Sequence, residues 1–374
     1  MVEQPTFPAT YRVGFLMSQN LGHVVHDARL HVEVAKHPDM APHWMPIYPW
    51  AQDGWQKLPL VKGNLTLLSG LRARDQLRSQ VGKFDALYCH TQEAATLLGD
   101  YMKRIPTILS LDATPINMDS IGHAYSHGTR SEIIEKLKHW LTKRSFHRAA
   151  HLVAFSEWAR NSLLEDYGVS EDKVTVNSPG VDLNIWKPKR PKSTRETTSP
   201  LRILFVGGDF QRKGGELLVR AAGSMPETLD VDIVTNAEGA GAGALPNVSI
   251  HRGLNAGSSG LLELFAKADV FVLPTLGDCS PWVILEAMAM RLPVISTSVG
   301  GIPEVVIHGT TGLLIPPNSV EALIDAMKLL NGSPDLCRAM GDAGRARVEQ
   351  HFDGERSYQE LIALIRKVAA NNRQ

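Results

Sequence analysis

TLGDCSPWVILEAMAMRLPVISTSVGGIPEVVIHGTTGLLIPP, residues 275–317, decides the architecture of the chain. Val270 to Pro274, just before it, is an apolar run of strand length, and Pro293 to Thr297 and Gly312 to Ile315 are two more. Glu286 to Arg291 lies in a helix between the first two. Short, almost wholly apolar strands alternating with helices imply a parallel sheet covered on both faces.

The rhythm continues upstream. Leu201 to Val206 reads as a strand, Gly214 to Ala222 as a helix and Val231 to Thr235 as a strand, followed by the loop AEGAGAGALP. Before it, WKPKRPKSTRETTSP (186–200) is polar, basic and proline-rich, the composition of a linker. The N-terminal part repeats the pattern. Tyr11 to Met17, Phe84 to Cys89, Thr107 to Leu111 and His151 to Phe155 are strands; Ser131 to His147 and Ser156 to Tyr167 are helices. The predicted organisation is α/β, with two Rossmann-like doubly wound domains facing across a cleft. Residues 1–190 form the first domain, 191–200 the linker, 201–352 the second domain, and 353–374 a C-terminal helix that packs back on the first. A chain of 374 residues is long enough for two cores.

Composition excludes several classes. Basic and acidic residues balance at 39 each, which gives no support for a nucleic-acid partner. Three scattered cysteines show no metal spacing and fit a reducing compartment. The first residues lack the basic start and apolar stretch of a signal peptide, and no run is long enough to span a bilayer. The expected location is the cytoplasm, where the sequons at Asn64 and Asn247 are chance matches. KLKHWLTKRSFHR (136–148) is either a solvated helix face or a peripheral contact with the inner face of a membrane.

Four stretches carry candidate chemistry. In LFVGGDFQRKGGELLVRA (204–221), a strand ends at Gly207-Gly208, and Arg212 and Lys213 precede a helix opened by Gly214-Gly215. Glycines let a phosphate approach the backbone, a helix N-terminus offers free N–H groups, and two cations suit a diphosphate. A solvated basic pair on a surface turn accounts for the same residues. In the opening stretch, Asp278 and Glu286 are separated by seven residues. Carboxylates accept hydroxyl hydrogen bonds, as a ribose or a sugar ring requires. Glu286, set among Ile284, Leu285, Ala287 and Met288, fits poorly as a solvated charge. The third stretch, SVGGIPEVVIHGTTGLLIPP (298–317), reads equally as a tight strand-to-helix turn. The fourth is the set of polar residues after N-terminal strands: Gly22-His23, His90 and Asp112. The DVD string at Asp230–Asp232 belongs to a strand start and not to a metal site.

Taken in order, these motifs closely resemble the retaining family-4 glycosyltransferases of the GT-B fold. The resemblance rests on the Arg/Lys–Gly segment, the acid–seven–Glu pair, EAMAMRLPVISTSVGGIPEVVIHGTTGLL (286–314) and FSEWARNSLLEDYGVSEDKVTVNSPGVDLNIWKP (155–188). It is strong over residues 150–320 and weak over 11–115. It implies a nucleotide-sugar donor, UDP-sugar favoured over GDP-sugar, retention of anomeric configuration, and no metal or cofactor. It places Arg212 and Lys213 on the donor diphosphate, Glu286 on the ribose, and Asp278 on the transferred sugar. It places Ser280, Pro281, Trp282 and Val283 along the donor, and Gly22 where the diphosphate approaches the backbone. Asp112, with His90 nearby, falls at the reacting centre. Either Asp112 or the donor's own phosphate takes the acceptor proton.

The sequence departs from the family pattern at Asp278, where Glu is common, at Pro281 and Arg291, where Gly is common, and at Asp112, where His is common. The acceptor is a sugar, a lipid-linked sugar or a small molecule. Two other readings are a non-catalytic nucleotide-sugar-binding protein and, more remotely, a dinucleotide-dependent oxidoreductase, which would lack a GxGxxG motif after any strand.

Overall fold

The computed structural model describes residues 10–20, 22–57, 61, 63–80, 82–121, 132–188, 195–196, 198–240 and 245–373, with the side chains of 132–134 left aside. The chain divides into two compact units: Met1–Ile116, Gly128–Pro179 and Arg356–Gln374 make unit 1, and Asn117–His127 with Gly180–Glu355 make unit 2. The sequence predicts a first domain up to residue 190. The change of unit falls earlier, and Trp186 is buried in the unit 2 core. Of the predicted linker, 191–194 and 197 lie outside the described residues.

Unit 1 is built on β1 (Tyr11–Ser18), α1 (His23–Ala35), β2 (Met40–Ile47), α2 (Leu65–Arg78), β3 (Ala86–His90), α3 (Gln92–Ala95), β4 (Thr107–Leu111), α4 (Pro115–Ser120, which ends in unit 2), α5 (Glu132–Arg148), β5 (His151–Ala154), α6 (Glu157–Glu165) and β6 (Val174–Val176). Its six strands pair in parallel in the order β2-β1-β3-β4-β5-β6. The central strands β3 and β4 are buried at every position, as expected where helices cover both faces.

Unit 2 contains β7 (Leu201–Val206), α7 (Gly215–Gly223), β8 (Leu229–Val234), β9 (Val248–His251), α8 (Ser259–Lys267), β10 (Val270–Leu273), α9 (Trp282–Ala289), β11 (Val294–Thr297), α10 (Ile302–Val305), β12 (Gly312–Ile315), α11 (Val320–Asn331) and α12 (Pro334–His351). Its order is β12-β11-β10-β7-β8-β9. Helix α7 shows how the pattern folds: Leu217, Leu218, Ala221 and Ala222 face the sheet, while Glu216 and Arg220 point away.

The last helix, α13 (Gly354–Asn371), begins in unit 2 and continues into unit 1. There Tyr358, Leu361, Ile362 and Ile365 pack in one apolar cluster with Val13, Phe15 and Leu30. Among the described residues, no helix is long and apolar enough to cross a membrane.

In each sheet the strand order reverses once beside the first strand, between β1 and β3 in unit 1 and between β7 and β10 in unit 2. Ligands of doubly wound sheets bind at the carboxyl ends of the strands at that point.

Candidate functional site

In unit 2, the loops leaving β7 and β10 meet at the reversal. Leu276 donates its N–H to the Arg212 carbonyl at 2.8 Å, and the Thr275 hydroxyl bonds the same carbonyl at 3.2 Å. The two loops are therefore one hydrogen-bonded unit, with Thr275 as the tie. Thr297, at the end of β11, donates its hydroxyl to the Thr275 carbonyl at 2.7 Å and anchors that tie from below.

Three predicted site residues converge here. Arg212 donates to the Gly277 carbonyl at 2.7 Å and to Asp209 at 2.9 Å. Lys213 donates to Oδ2 of Asp278 at 2.6 Å, and Arg212 reaches the same oxygen at 3.4 Å. All three side chains are mostly buried, so neither cation is a solvated surface charge. Asp278, which the resemblance places on the sugar, is contacted here by both cations. A carboxylate between two positive groups is where that side chain gains most electrostatically.

Two glycines make the arrangement possible. Gly214, which precedes α7, has φ +80°, and a Cβ there would stand 2.1 Å from the Pro274 carbonyl oxygen. Gly300 has φ +56°, and its Cβ would stand 2.1 Å from the Asp278 carbonyl oxygen. The GGIPE turn thus backs the loop that carries Asp278, a role beyond a strand-to-helix turn, and Gly301 N–H bonds the Cys279 carbonyl at 2.8 Å.

α8 and α11 carry side-chain caps from Ser258 and Ser319. α7 and α9, which open at the reversal, have no side-chain cap, and neither do α10 and α12. Gly214 has no side chain to offer and Pro281 has no polar group, so no cap side chain covers either helix start; Gly215 N–H donates to the Phe210 carbonyl at 2.8 Å and Ile284 N–H to the Pro281 carbonyl at 3.0 Å, and an anion would draw on the other first-turn N–H groups. Pro281 is the N-cap of α9, where its missing N–H costs nothing. Trp282 and Val283 form the first turn of α9, and Ser280 precedes it; all three are partly exposed.

Glu286 stands apart, on the second turn of α9, and makes no ion pair with Arg212 or Lys213. No side chain among the described residues hydrogen-bonds its carboxyl group. Burial pushes that carboxyl up to about 8. Glu286 is half-buried, and a carboxyl in such a place without a donor is an acceptor with unused capacity.

In unit 1, the reversal is occupied by histidines. His90, predicted in a strand-end loop, is the last residue of β3 and is fully buried. Its Nδ1 bonds Ser110 Oγ at 2.8 Å and its Nε2 bonds His23 Nδ1 at 2.9 Å. With both ring nitrogens engaged inside the protein, His90 positions His23 and has no nitrogen left for a ligand. Burial, reinforced by His26 and His23, holds His90 well below the usual imidazole range. His26 bonds the hydroxyls of Tyr88 and Tyr358 at 2.8 and 2.9 Å, and burial pushes it down to about 3.

Asp112 is half-buried just beyond β4. Glu93, in the first turn of α3, has its carboxyl raised by burial, with the charge of Asp112 adding to that shift. Gly22 caps α1 in ordinary helical conformation at φ −67°, and a Cβ there would meet nothing within 4 Å. Its being glycine is thus not required by the fold.

Thr275, Glu93 and His26 escape the sequence reading. The i,i+3 pairing of His23 and His26 was a signal for one of them; Thr275 carries none. Asp230 and Asp232 lie within β8, and Asp232 bonds His251 on β9 at 2.6 Å. No group of three side chains suited to a metal gathers among the described residues.

Solved structures share this fold across nearly the whole chain. The sucrose-phosphate synthase of Thermosynechococcus elongatus superposes with a TM-score of 0.77 at 18% identity, over 96% of this chain and 100% of that one. HepE of Anabaena, solved in complex with UDP-glucose, gives 0.68 at 16% identity over 96% and 100%. The fold is the two-domain GT-B class. Family models agree on the lineage: "Glycosyltransferase Family 4" matches residues 35–185 and "Glycosyl transferases group 1" matches residues 200–331. The chain belongs to the family-4 glycosyltransferases. Alpha-maltose-1-phosphate synthase of Mycolicibacterium smegmatis is 30% identical over 262 residues, which is 62% of this chain. The chain spans 66% of that synthase's length.

Proposed function

We propose that the protein is a retaining, metal-independent hexosyltransferase that uses a nucleotide diphosphate sugar. The observation that carries this reading is the meeting of Arg212, Lys213 and Asp278 at the strand reversal of unit 2, beside two helix starts without side-chain caps. Two cations and two helix N-termini supply the positive charge that a leaving diphosphate needs, so a divalent cation is not required. Glu286, with no hydrogen-bonding side chain on its carboxyl, is suited to the two hydroxyls of a ribose. Asp278 lies where it can exchange a cation for a sugar hydroxyl once the diphosphate takes up Lys213. A UDP-sugar is the favoured donor, in keeping with the UDP-glucose bound to HepE.

The proposed acceptor side is unit 1, with a sugar, a lipid-linked sugar or a small molecule as acceptor and the cytoplasm as the place of action. The acceptor proton passes to a donor phosphate oxygen or to Asp112, and Asp112→Asn separates the two: only the second route loses activity steeply. The decisive experiment is a panel of nucleotide sugars assayed for hydrolysis and transfer with and without EDTA. One UDP-hexose should be consumed at the same rate in both. Tight donor binding with neither hydrolysis nor transfer would point to a non-catalytic binding protein.

A further inference from the structure

Three histidines gather at the strand reversal of unit 1, and their hydrogen bonds leave one ring nitrogen over. His26 uses both of its nitrogens on the hydroxyls of Tyr88 and Tyr358. His90 uses both on Ser110 and His23. His23 opens α1, is half-buried, and bonds His90 through Nδ1. Among the described residues, nothing bonds its Nε2.

This chain of bonds has a direction. The Ser110 hydroxyl donates to the Cys89 carbonyl at 3.4 Å, a group that only accepts. The Ser110 oxygen is then the acceptor for His90 Nδ1–H at 2.8 Å. Burial keeps His90 neutral, with a single ring proton, and the Ser110 backbone favours a proton on that ring. His90 Nε2 is therefore bare and accepts from His23 Nδ1–H at 2.9 Å. A neutral His23 then has no proton left for Nε2; each tautomer follows from the bonds its ring makes. The His90 ring is fixed in this role: it stacks on Phe155 at 5.2 Å and meets His26 and His23 edge-on at 4.6 and 4.7 Å.

His23 shares these strand ends with Asp112 and Glu93. Glu93 feels the charge of both, so the three groups lie within electrostatic reach of one another. Lys138, a cation that Glu93 also feels, is already paired with Glu135 at 3.0 Å. A bare imidazole nitrogen and two carboxyl groups offer hydrogen-bond acceptors and little to neutralise an anion. That chemistry suits the hydroxyls of a polyol and disfavours a phosphate at this point.

We propose that His23 Nε2 accepts a hydrogen bond from a hydroxyl of the acceptor, which is therefore a sugar or another polyol with a second hydroxyl beside the one that attacks. His90 and Ser110 are the positioning residues that keep this nitrogen bare. The attacking hydroxyl gives up its proton by one of the routes above, so the hydroxyl held by His23 is a different one and stays intact. The proposal rests on the reading of unit 1 as the acceptor side.

The test is two-bond nitrogen–proton NMR of the full chain, labelled at histidine nitrogen and held at mildly alkaline pH. His23→Phe identifies the His23 signals by their loss. In the wild type, His23 should carry its proton on Nδ1 with Nε2 bare. Glucose or myo-inositol should move the Nε2 signal, and inorganic phosphate should not. Ser110→Ala removes the hydroxyl that orients His90, so both tautomers of His23 should appear and the response to the polyols should weaken roughly fivefold. His90→Gln keeps an oxygen acceptor for His23 Nδ1–H and should retain most of the response. Circular dichroism checks that the variants fold; should a variant at these buried positions fail to, the wild-type tautomer and its response to the probes decide. A proton on Nε2, a His23 signal that neither polyol moves, an equal response to inorganic phosphate, or a folded Ser110→Ala with tautomer and response unchanged would each overturn the proposal. UDP binding, measured separately by calorimetry, tests the donor site, and none of these signals depends on it.

Discussion

Lys213 and Asp278, 65 residues apart in the chain, meet at 2.6 Å where the loops after β7 and β10 join. Arg212 reaches the same carboxylate oxygen at 3.4 Å, so removing Lys213 leaves Asp278 with one cation and the fold intact. A donor diphosphate, by contrast, loses a partly buried charge that nothing replaces. Truncating one member of such a pair costs on the order of 2–5 kcal/mol in binding. Lys213→Ala should weaken UDP binding at least roughly 30-fold, as read by calorimetry, with little change in melting temperature. Unchanged affinity would remove the diphosphate from this site.

Glu286 makes stability depend on pH. Its carboxyl is raised by burial from 4.5 to about 8. Between those values the folded chain keeps a proton that the unfolded chain has released. Stability therefore falls as pH rises from about 4.5 through about 8 and then levels off. Glu286→Gln removes this dependence. The variant should match the wild type near pH 4 and exceed it by up to about 5 kcal/mol at pH 9, measured by urea unfolding. A constant difference across that range would mean that Glu286 is not buried in its charged form.

The same group predicts proton release on donor binding. Two ribose hydroxyls donating to Glu286 favour the carboxylate and lower its pKa. At pH 7 the free protein holds the proton, so binding must expel it. Titration calorimetry with UDP in two buffers of different ionisation enthalpy should show close to one proton released. UDP affinity should rise with pH and level off above about 8. No buffer dependence in the wild type would separate Glu286 from the nucleotide.

The central strands were legible because their neighbours bury both faces and leave an unbroken apolar run, as in VFVL of β10 and TILSL of β4. The edge strand β2, MAPHWMPI, was not: two prolines and an exposed middle hide it, and prolines are tolerated only where a strand lacks a neighbour on one side. The donor-side residues were legible because their spacing is local, cations before a helix and acids flanking one. What sequence alone left out is long-range. Nothing in TLGDC announces that Thr275 ties two loops, and nothing in ALYCH announces that both nitrogens of His90 are engaged by residues from β4 and α1. Arg291 shows a local rule broken. It sits at φ +59° where the family pattern has glycine, and it pairs with Asp342 across an exposed contact.

Gly214 and Gly208 lie on the same loop and offer a paired test of how tightly that loop is fixed. At Gly214 a side chain meets two obstacles: φ is +80°, and the Cβ would overlap the Pro274 carbonyl oxygen at 2.1 Å. Backbone cannot swing aside as a flexible side chain can, so β7 and β10 would have to separate at the reversal that brings Lys213 to Asp278. Gly208 is exposed, has no positive φ, and a Cβ there meets nothing within 4 Å. Gly214→Ala should destabilise the fold by roughly 2–4 kcal/mol and abolish UDP binding, because the loop that presents both cations moves. Gly208→Ala should stay within about 0.5 kcal/mol of the wild type. Any loss of UDP affinity in that variant then reports contact between the ligand and the backbone at Gly208, since folding has been held constant. Equal stability for the two variants, measured by thermal unfolding, would mean that the loop yields at Gly214 and that its geometry does not position the cations.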